Sequence, residues 1–352
     1  MSVLVTGVGH IGSYVARDLI AAGEDVVLYG YFGGSGVAGT SELPDLEFLD
    51  YLVGGDLRDK ATVVLGDITD LDTVTAASER HGVRSIAHLA SLVSATAEAR
   101  PLDAVRVNVL GTANMFDVGS RLSMDRIVWA STIDVFGPGS IPASGVIDDS
   151  CPRDPAFVYG ATKVLCEKLA ERHHANTGLD ITGLRLSRVY GFGEHLKLSR
   201  GTAGSWLSPL MWHAAVTSEP VVIPFGRRRL DFHYVEDVGA SFAQALSLRG
   251  GTGDAYLTHG DLRGVAEAFD FVRQLLPDAD LTLRDDDAPL GAGSSISWSR
   301  EYDASRAERE LGIATRFGME AGLFKTINDN RRFAGLPELA APPQVDVRPR
   351  NG

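Results

Sequence analysis

Cysteine is nearly missing from this chain. Only Cys151 and Cys166 occur among 352 residues, far too few for a disulfide scaffold or a cysteine-rich zinc site. Basic charge is also short. Lys and Arg number 33 against 46 Asp and Glu, a net charge of -13. That balance argues against a nucleic-acid surface, which needs a basic face. No apolar run reaches the ~18 residues of a membrane span. The N-terminus enters a strand at once, without the basic and apolar regions of a secretory leader. No His/Asp/Glu cluster has metal-ligand spacing, so no metal is expected. The expectation is a soluble cytoplasmic protein with no nucleic-acid or membrane partner. What remains is ordinary: 44% hydrophobic and 22% charged residues, enough to bury a sizeable core.

The first half alternates two periods. Apolar, β-branched runs at 2–6, 25–29, 62–65, 85–89, 126–130 and 180–186 read as strands. Helical patterns lie at 11–22, 70–81, 101–120 and 157–177. Such alternation predicts a parallel sheet covered on both faces. Residues 30–60 are Gly-rich and show no clear period, which reads as a long loop, functional or mobile. Beyond Leu186 the alternation breaks, except that 231–246 reads as a strand entering a helix. The end of the chain, from residue 336 to 352, is Pro-rich and polar and is expected to lie loosely.

The first strand runs into TGVGHIG, residues 6–12. Gly7, Gly9 and Gly12 give G-x-G-x-x-G between a strand and a helix, the arrangement a dinucleotide pyrophosphate needs. The first Gly makes the turn, the second lets the backbone approach phosphate, and the third lets helix and strand pack. The helix N-terminus adds free N–H groups and partial positive charge.

Further on stands YGATK, with Tyr159 and Lys163. At i and i+4 they share a helix face. An ammonium near a phenol favours the phenolate, which lowers the phenol pKa and makes a general acid/base. The motif lies 27 residues after Thr132, itself at the C-terminal end of a strand. Ligands of open α/β sheets bind outside those ends.

With these pieces in place the chain resembles the extended short-chain dehydrogenase/reductase superfamily, in its NAD-dependent epimerase/dehydratase branch. The resemblance runs from about residue 2 to residue 330. It is carried by TGVGHIG, GDITD (66–70), IAHLAS (86–91), NVLGT (108–112), VWASTIDVFG (128–137), YGATK, LRLSRVYGFG (184–193) and DFHYVEDV (231–238), in family order. The resemblance implies Thr132, Tyr159 and Lys163 as the catalytic set. It implies Gly7, Gly9, His10, Ile11 and Gly12 at the pyrophosphate, and Asp67 and Ile68 at the adenine. Leu89, Ala90 and Ser91 would flank the nicotinamide-side ribose, with Asn108 on the same cofactor side and Tyr159 and Lys163 on the ribose hydroxyls. A rival adenine motif, GGDLRD (54–59), lacks a preceding strand, so Asp56 reads as a loop carboxylate.

Four departures qualify the resemblance. The family usually reads G-x-x-G-x-x-G, so the shorter loop here predicts a tighter turn. The second strand ends at Gly30, where NAD enzymes of this fold place a carboxylate for the ribose 2′-OH. No Arg stands nearby for a 2′-phosphate, so NAD is expected and NADP is left open. Arg188 stands where nucleotide-sugar enzymes have Asn, and Leu230 where they have a diphosphate-binding Arg. The neighbouring Arg227, Arg228 and Arg229 could restore a cation. Ile133 replaces the dehydratase acid, which disfavours water elimination, and Asp134 reads equally as a pocket carboxylate or a loop residue.

The expected architecture is an α/β fold: a doubly wound parallel Rossmann sheet with a smaller C-terminal α/β domain. Residues 1–187, with 231–258 returning, would bind NAD(P). Residues 188–230 and 259–335 would bind substrate through Ser91, Thr132, Asp134, Arg188 and Arg229. The expected function is NAD(P)-dependent hydride transfer at a secondary alcohol or ketone of a small polar molecule, with sugar-like molecules among the candidates. The alternatives are a sugar or nucleotide-sugar epimerase and a non-catalytic NAD(P) sensor; the Thr–Tyr–Lys set argues against the sensor. The helices at 101–120 and 157–177 resemble a family dimer interface, with Val107, Leu110, Val164 and Leu165 facing outward, so a homodimer is expected.

Overall fold

The computed structural model describes residues 1–31, 44–194, 206–285 and 300–342. Seven strands form one sheet: β1 (Ser2–Thr6), β2 (Asp25–Gly30), β3 (Ala61–Leu65), β4 (Ser85–His88), β5 (Arg126–Thr132), β6 (Ile181–Leu186) and β7 (Ala255–Leu257). All pair in parallel, in the order β7-β6-β5-β4-β1-β2-β3. The winding reverses between β1 and β4, and in such sheets the ligand crevice opens at that reversal, beyond the strands' carboxyl ends.

Strand alternation sorts the core into two layers. Val3, Val5, Val26 and Leu28 face helix α1 (His10–Ala21) and helix α5 (Val235–Ser247), where they meet Val15, Leu19, Val238 and Phe242. Leu4, Val27, Ile86, Ile127 and Trp129 face the other way. There they pack on α2 (Leu71–Arg80), α3 (Gly111–Arg121) and α4 (Val158–Thr177), through Val74, Met115, Phe116, Cys166 and Ala170. Each such side chain contributes about 1.5–3 kcal/mol on full burial, and Phe116 meets Trp129 edge-on at 6.0 Å. A sheet with both faces covered explains why its strands read as near-continuous apolar runs.

Several expectations change here. The stretch 30–60 is not one loop: Pro44–Leu52 and Leu57–Lys60 are helical, and residues 32–43 lie outside the described residues. Asp56 is exposed in the turn before the second of these helices. The helix at 101–120 is interrupted by a wider π turn at Val105–Leu110, between Pro101–Ala104 and α3. Val107 and Val164 pack inward against buried clusters, and the outward apolar face is Leu102, Val105, Leu110 and Leu165. Val189–Tyr190, Arg229–Tyr234 and Asp261–Gly264 form a separate three-stranded sheet, so 231–234 does not join the main one. Leu339 is pinned by paired backbone bonds to the Asn328 side chain, which fixes the start of the final segment; residues 343–352 lie outside the described residues. Among the described residues no helix is long and apolar enough to cross a membrane.

Candidate active site

The loop after β1 forms the cofactor end of the crevice. Gly9 N–H donates to the Gly7 carbonyl at 2.8 Å, closing the tight three-residue turn that the short motif predicts. Gly7 sits at φ +76°, and a Cβ there would lie 2.3 Å from Ala90 N. A Cβ at Gly12 would lie 2.2 Å from the Gly7 carbonyl oxygen. Gly9 differs: nothing lies within 4 Å of its Cβ position. Helix α1 starts there with no side-chain cap and no acid in its first turn, so its N-terminal N–H groups face an open cradle. These residues fit a dinucleotide pyrophosphate.

The His10 ring is buried and shares a hydrogen bond between Nε2 and the Phe192 carbonyl at 3.1 Å, which also accepts the Tyr14 hydroxyl at 3.2 Å. Ile11 packs against the core. Just after β3, Asp67 Oδ1 accepts the Thr69 N–H at 2.8 Å. Burial works to raise the Asp67 pKa, but bonds from Thr69 and the Tyr31 hydroxyl, with the Arg106 charge, leave it lowered. Thus Tyr31 stands beyond the end of β2, where a carboxylate is usual. Ile68 is buried against Gly111. Leu89 N–H continues the pairing to Thr6 O at 3.0 Å, which seats Ala90 against Gly7.

Asn108 is corrected from cofactor contact to scaffold. Its Oδ1 accepts Leu92 N–H at 2.7 Å and Ser91 Oγ–H at 3.1 Å; its Nδ2 donates to Leu92 O at 2.9 Å and Thr162 Oγ1 at 3.1 Å. These bonds use the amide's full donor capacity, and the side chain is fully buried. The π turn places Asn108 there and turns its carbonyl to the Cys166 thiol at 3.2 Å.

At the centre, β5 ends at Thr132 and α4 begins one residue before Tyr159. Tyr159 is half-buried. Burial and the Asp134 carboxylate push its pKa up; the Thr132 and Ser91 hydroxyls beside it oppose the rise. Lys163 is 1% exposed, donates to Ala130 O at 2.8 Å, and stands 5.8 Å from the Tyr159 ring centroid. Burial pulls its own pKa down. The expected lysine-driven lowering of Tyr159 is therefore not what the structure shows. Burial outweighs the two hydroxyls, which favours the neutral phenol. Thr132 Oγ1 accepts the Asp134 N–H at 3.1 Å, so its own proton remains to be donated.

Arg188 departs furthest from expectation. It follows β6, whose Leu186 is in register with Thr132, so it stands at the ligand edge of the sheet. Yet its guanidinium is engaged by the Glu194 carboxylate and the Val189 carbonyl, and both charged side chains are buried. Leu230 is in the hydrophobic core. Arg229 is exposed and donates to Leu262 O at 3.0 Å. It lines a polar cavity of about 400 Å³ with Asp231, His259 and Arg300; Thr132 and Tyr159 are not in that lining. Sequence reasoning missed the Arg188–Glu194 pair, whose only signal was a carboxylate six residues on, across a turn with Gly191 and Gly193. His88 is a packed residue, bonded to Thr6 and Thr112, with its pKa driven by burial down to about 3.

A doubly wound sheet with a dinucleotide cradle and an acid/base tyrosine beside it defines a nucleotide-cofactor-dependent enzyme. The family model for the NAD dependent epimerase/dehydratase family matches residues 3–257. A putative UDP-glucose 4-epimerase of Methanocaldococcus jannaschii is 26% identical over 274 residues, 77% of this chain and 81% of that one. The dTDP-glucose 4,6-dehydratase of Streptomyces niveus is 28% identical over 355 residues, 95% of this chain and 94% of that one. Among solved structures, MoeE5 in complex with UDP-glucose and NAD is similar, with a TM-score of 0.73, 26% identity, and coverage of 95% of this chain and 99% of that one. The chain belongs to the NAD-dependent epimerase/dehydratase family. It is an NAD-dependent enzyme of the extended short-chain dehydrogenase/reductase kind.

Proposed function

We propose that the enzyme performs reversible hydride transfer at a secondary alcohol or ketone of a small polar, sugar-like substrate. The observation that carries this is the convergence of Thr132, Ser91 and Asp134 on the Tyr159 hydroxyl, with Lys163 behind it, next to the Gly9 cradle. NAD, when bound, supplies the hydride acceptor or donor. In this reading Tyr159 gives its proton to the carbonyl oxygen in reduction and takes it from the hydroxyl in oxidation. Thr132 donates its free proton to the same oxygen and orients it. Lys163 supplies positive charge when the phenolate forms and holds ribose hydroxyls. Gly7 and Gly9 form the turn that lets the pyrophosphate approach the backbone, the first-turn N–H groups of His10, Ile11 and Gly12 bind it, and Asp67 and Ile68 border the adenine.

A second reading, a nucleotide-sugar epimerase in which the hydride returns to the opposite face, is supported by the relatives' own substrates and by Arg229 and Arg300 sharing one polar cavity. Against it stand the engaged Arg188 and the buried Leu230. Calorimetry of UDP, UDP-glucose and UDP-galactose against NAD-loaded protein separates the two. Poor binding supports a smaller substrate with net redox turnover; low-micromolar binding of any one makes the epimerase reading lead. We also propose a homodimer through the face of Leu102, Val105, Leu110 and Leu165, of which Leu102 is 83% exposed. Two buried free thiols suit a reducing, cytoplasmic setting.

A further inference from the structure

We propose that Glu167 is a positioning residue of the catalytic helix, one that limits the positive charge around Lys163 and fixes the strand end bearing Thr132. This rests on the hydride-transfer reading for its meaning but not for its test. Helix α4 presents Tyr159, Lys163 and Glu167 at i, i+4 and i+8, a spacing that keeps them on one face. That face holds consecutive residues at the end of β5. Lys163 Nζ donates to Ala130 O at 2.8 Å, and Ser131 Oγ donates to Glu167 Oε1 at 2.7 Å, one residue before Thr132.

Glu167 is heavily buried and saturated. Arg185 donates to it through Nε at 2.7 Å and Nη2 at 2.9 Å, and Arg153 Nε donates at 3.2 Å. Arg185 also meets Asp149, whose Oδ1 accepts Leu257 N–H at 2.9 Å. Two guanidinium groups and two carboxylates therefore sum to zero, and the Lys163 ammonium sits at their edge. Without Glu167 the same dry region would hold two uncompensated positive charges in all. Facing Lys163 are Tyr159, Cys166 and Glu167 from its own helix, neutral His88 from β4 and the Trp129 ring from β5. Of these Glu167 is the one carboxylate among the described residues, and its charge opposes the fall that burial imposes on the lysine.

The chain has five lysines, so full-length protein labelled with 13Cε-lysine gives few resonances, and Lys163 is assigned by its loss in Lys163→Met. Its titration reads the local charge without any substrate. In Glu167→Gln the Lys163 midpoint moves to lower pH by about one unit, the size a neighbouring charge imposes. In Arg153→Met, at the more exposed rim of the cluster, it moves to higher pH. Asp149→Asn removes a carboxylate that lies beyond Arg185 in the same network and moves the midpoint down by clearly less than Glu167→Gln does. If Glu167→Gln fails to fold, the upward shift in Arg153→Met still decides. An unmoved midpoint in both, or an equal shift in Asp149→Asn, reduces Glu167 to a core ion pair and overturns the proposal. If the midpoints move as expected and no secondary alcohol is turned over, the positioning role stands and the hydride-transfer reading falls.

Discussion

Arg188 offers the sharpest quantitative test. Its position at the sheet's ligand edge suggests substrate recognition, whereas its contacts suggest a buried internal pair. Removing one partner of such a pair costs about 3–5 kcal/mol, because the other charge is left desolvated. Here the survivor would be Glu194, which is 1% exposed. In Arg188→Met the expected loss is therefore about 3–5 kcal/mol, or a Tm fall of roughly 4–7 °C for a chain this long. Glu194→Met should also be destabilising, because it removes the buried carboxylate that meets the Arg188 guanidinium. The double variant replaces both charges with apolar volume and should return to within about 1 kcal/mol of the parent. Urea unfolding of all four proteins, with NAD absent throughout, gives the cycle. Additive losses in the double variant would refute the pairing argument. So would a stable Arg188→Met whose only defect is a raised KM, since that places the guanidinium on substrate.

Other outcomes follow from the geometry. Tyr159→Phe should lower turnover by about two to four orders of magnitude while NAD binding survives; near-normal turnover would sink the acid/base assignment. Gly9→Val should fold normally, since nothing lies within 4 Å of its Cβ position, yet lose NAD affinity by calorimetry; Gly7→Ala should lower Tm because its Cβ meets Ala90 N at 2.3 Å. His88 and His233 have folded pKa values driven by burial from 6.5 to about 3. Depressed values mean their stability is fully present above pH 6.5 and is lost as pH falls toward 3. The stability gap between parent and His88→Asn should thus shrink by about 1.4 kcal/mol per pH unit below 6.5, and a pH-independent gap would contradict the buried neutral ring. Light scattering at micromolar concentration should give a dimer mass, and Leu102→Glu with Leu110→Glu should give a monomer; a monomeric parent would remove the interface.

Much of this was legible because local physics decides it. The strands covered on both faces had to be apolar runs, and their starts and ends fell within a few residues of those read from the sequence. The tight turn at Gly7 followed from one missing residue. What escaped were relations between segments distant in the chain. Nothing near Asn108 says that its amide will hold Leu92, because that bond depends on how a π turn rotates one residue. Arg188 reads as a free cation until the turn after Tyr190 brings Glu194 back to it. The lysine effect on Tyr159 was misjudged because the spacing of two residues on a helix carries no information on how dry their surroundings are.

The last strand of the sheet has a consequence for how the chain is made. Ala255–Leu257 pairs with Gly183–Arg185 across some seventy intervening residues, and Asp149 is bonded by Leu257 N–H. Until residue 257 has been synthesised, Ile181–Leu186 is an edge strand in which every side chain is destined for burial. Such an edge is a template for strand addition by other chains. A nascent or truncated chain ending near residue 187 should thus be adhesive despite holding the whole cofactor cradle, and a pairing of such sequence separation closes slowly. Expression as an isolated N-terminal fragment should yield aggregate, whereas a fragment extended through residue 258 protects that edge with its own strand.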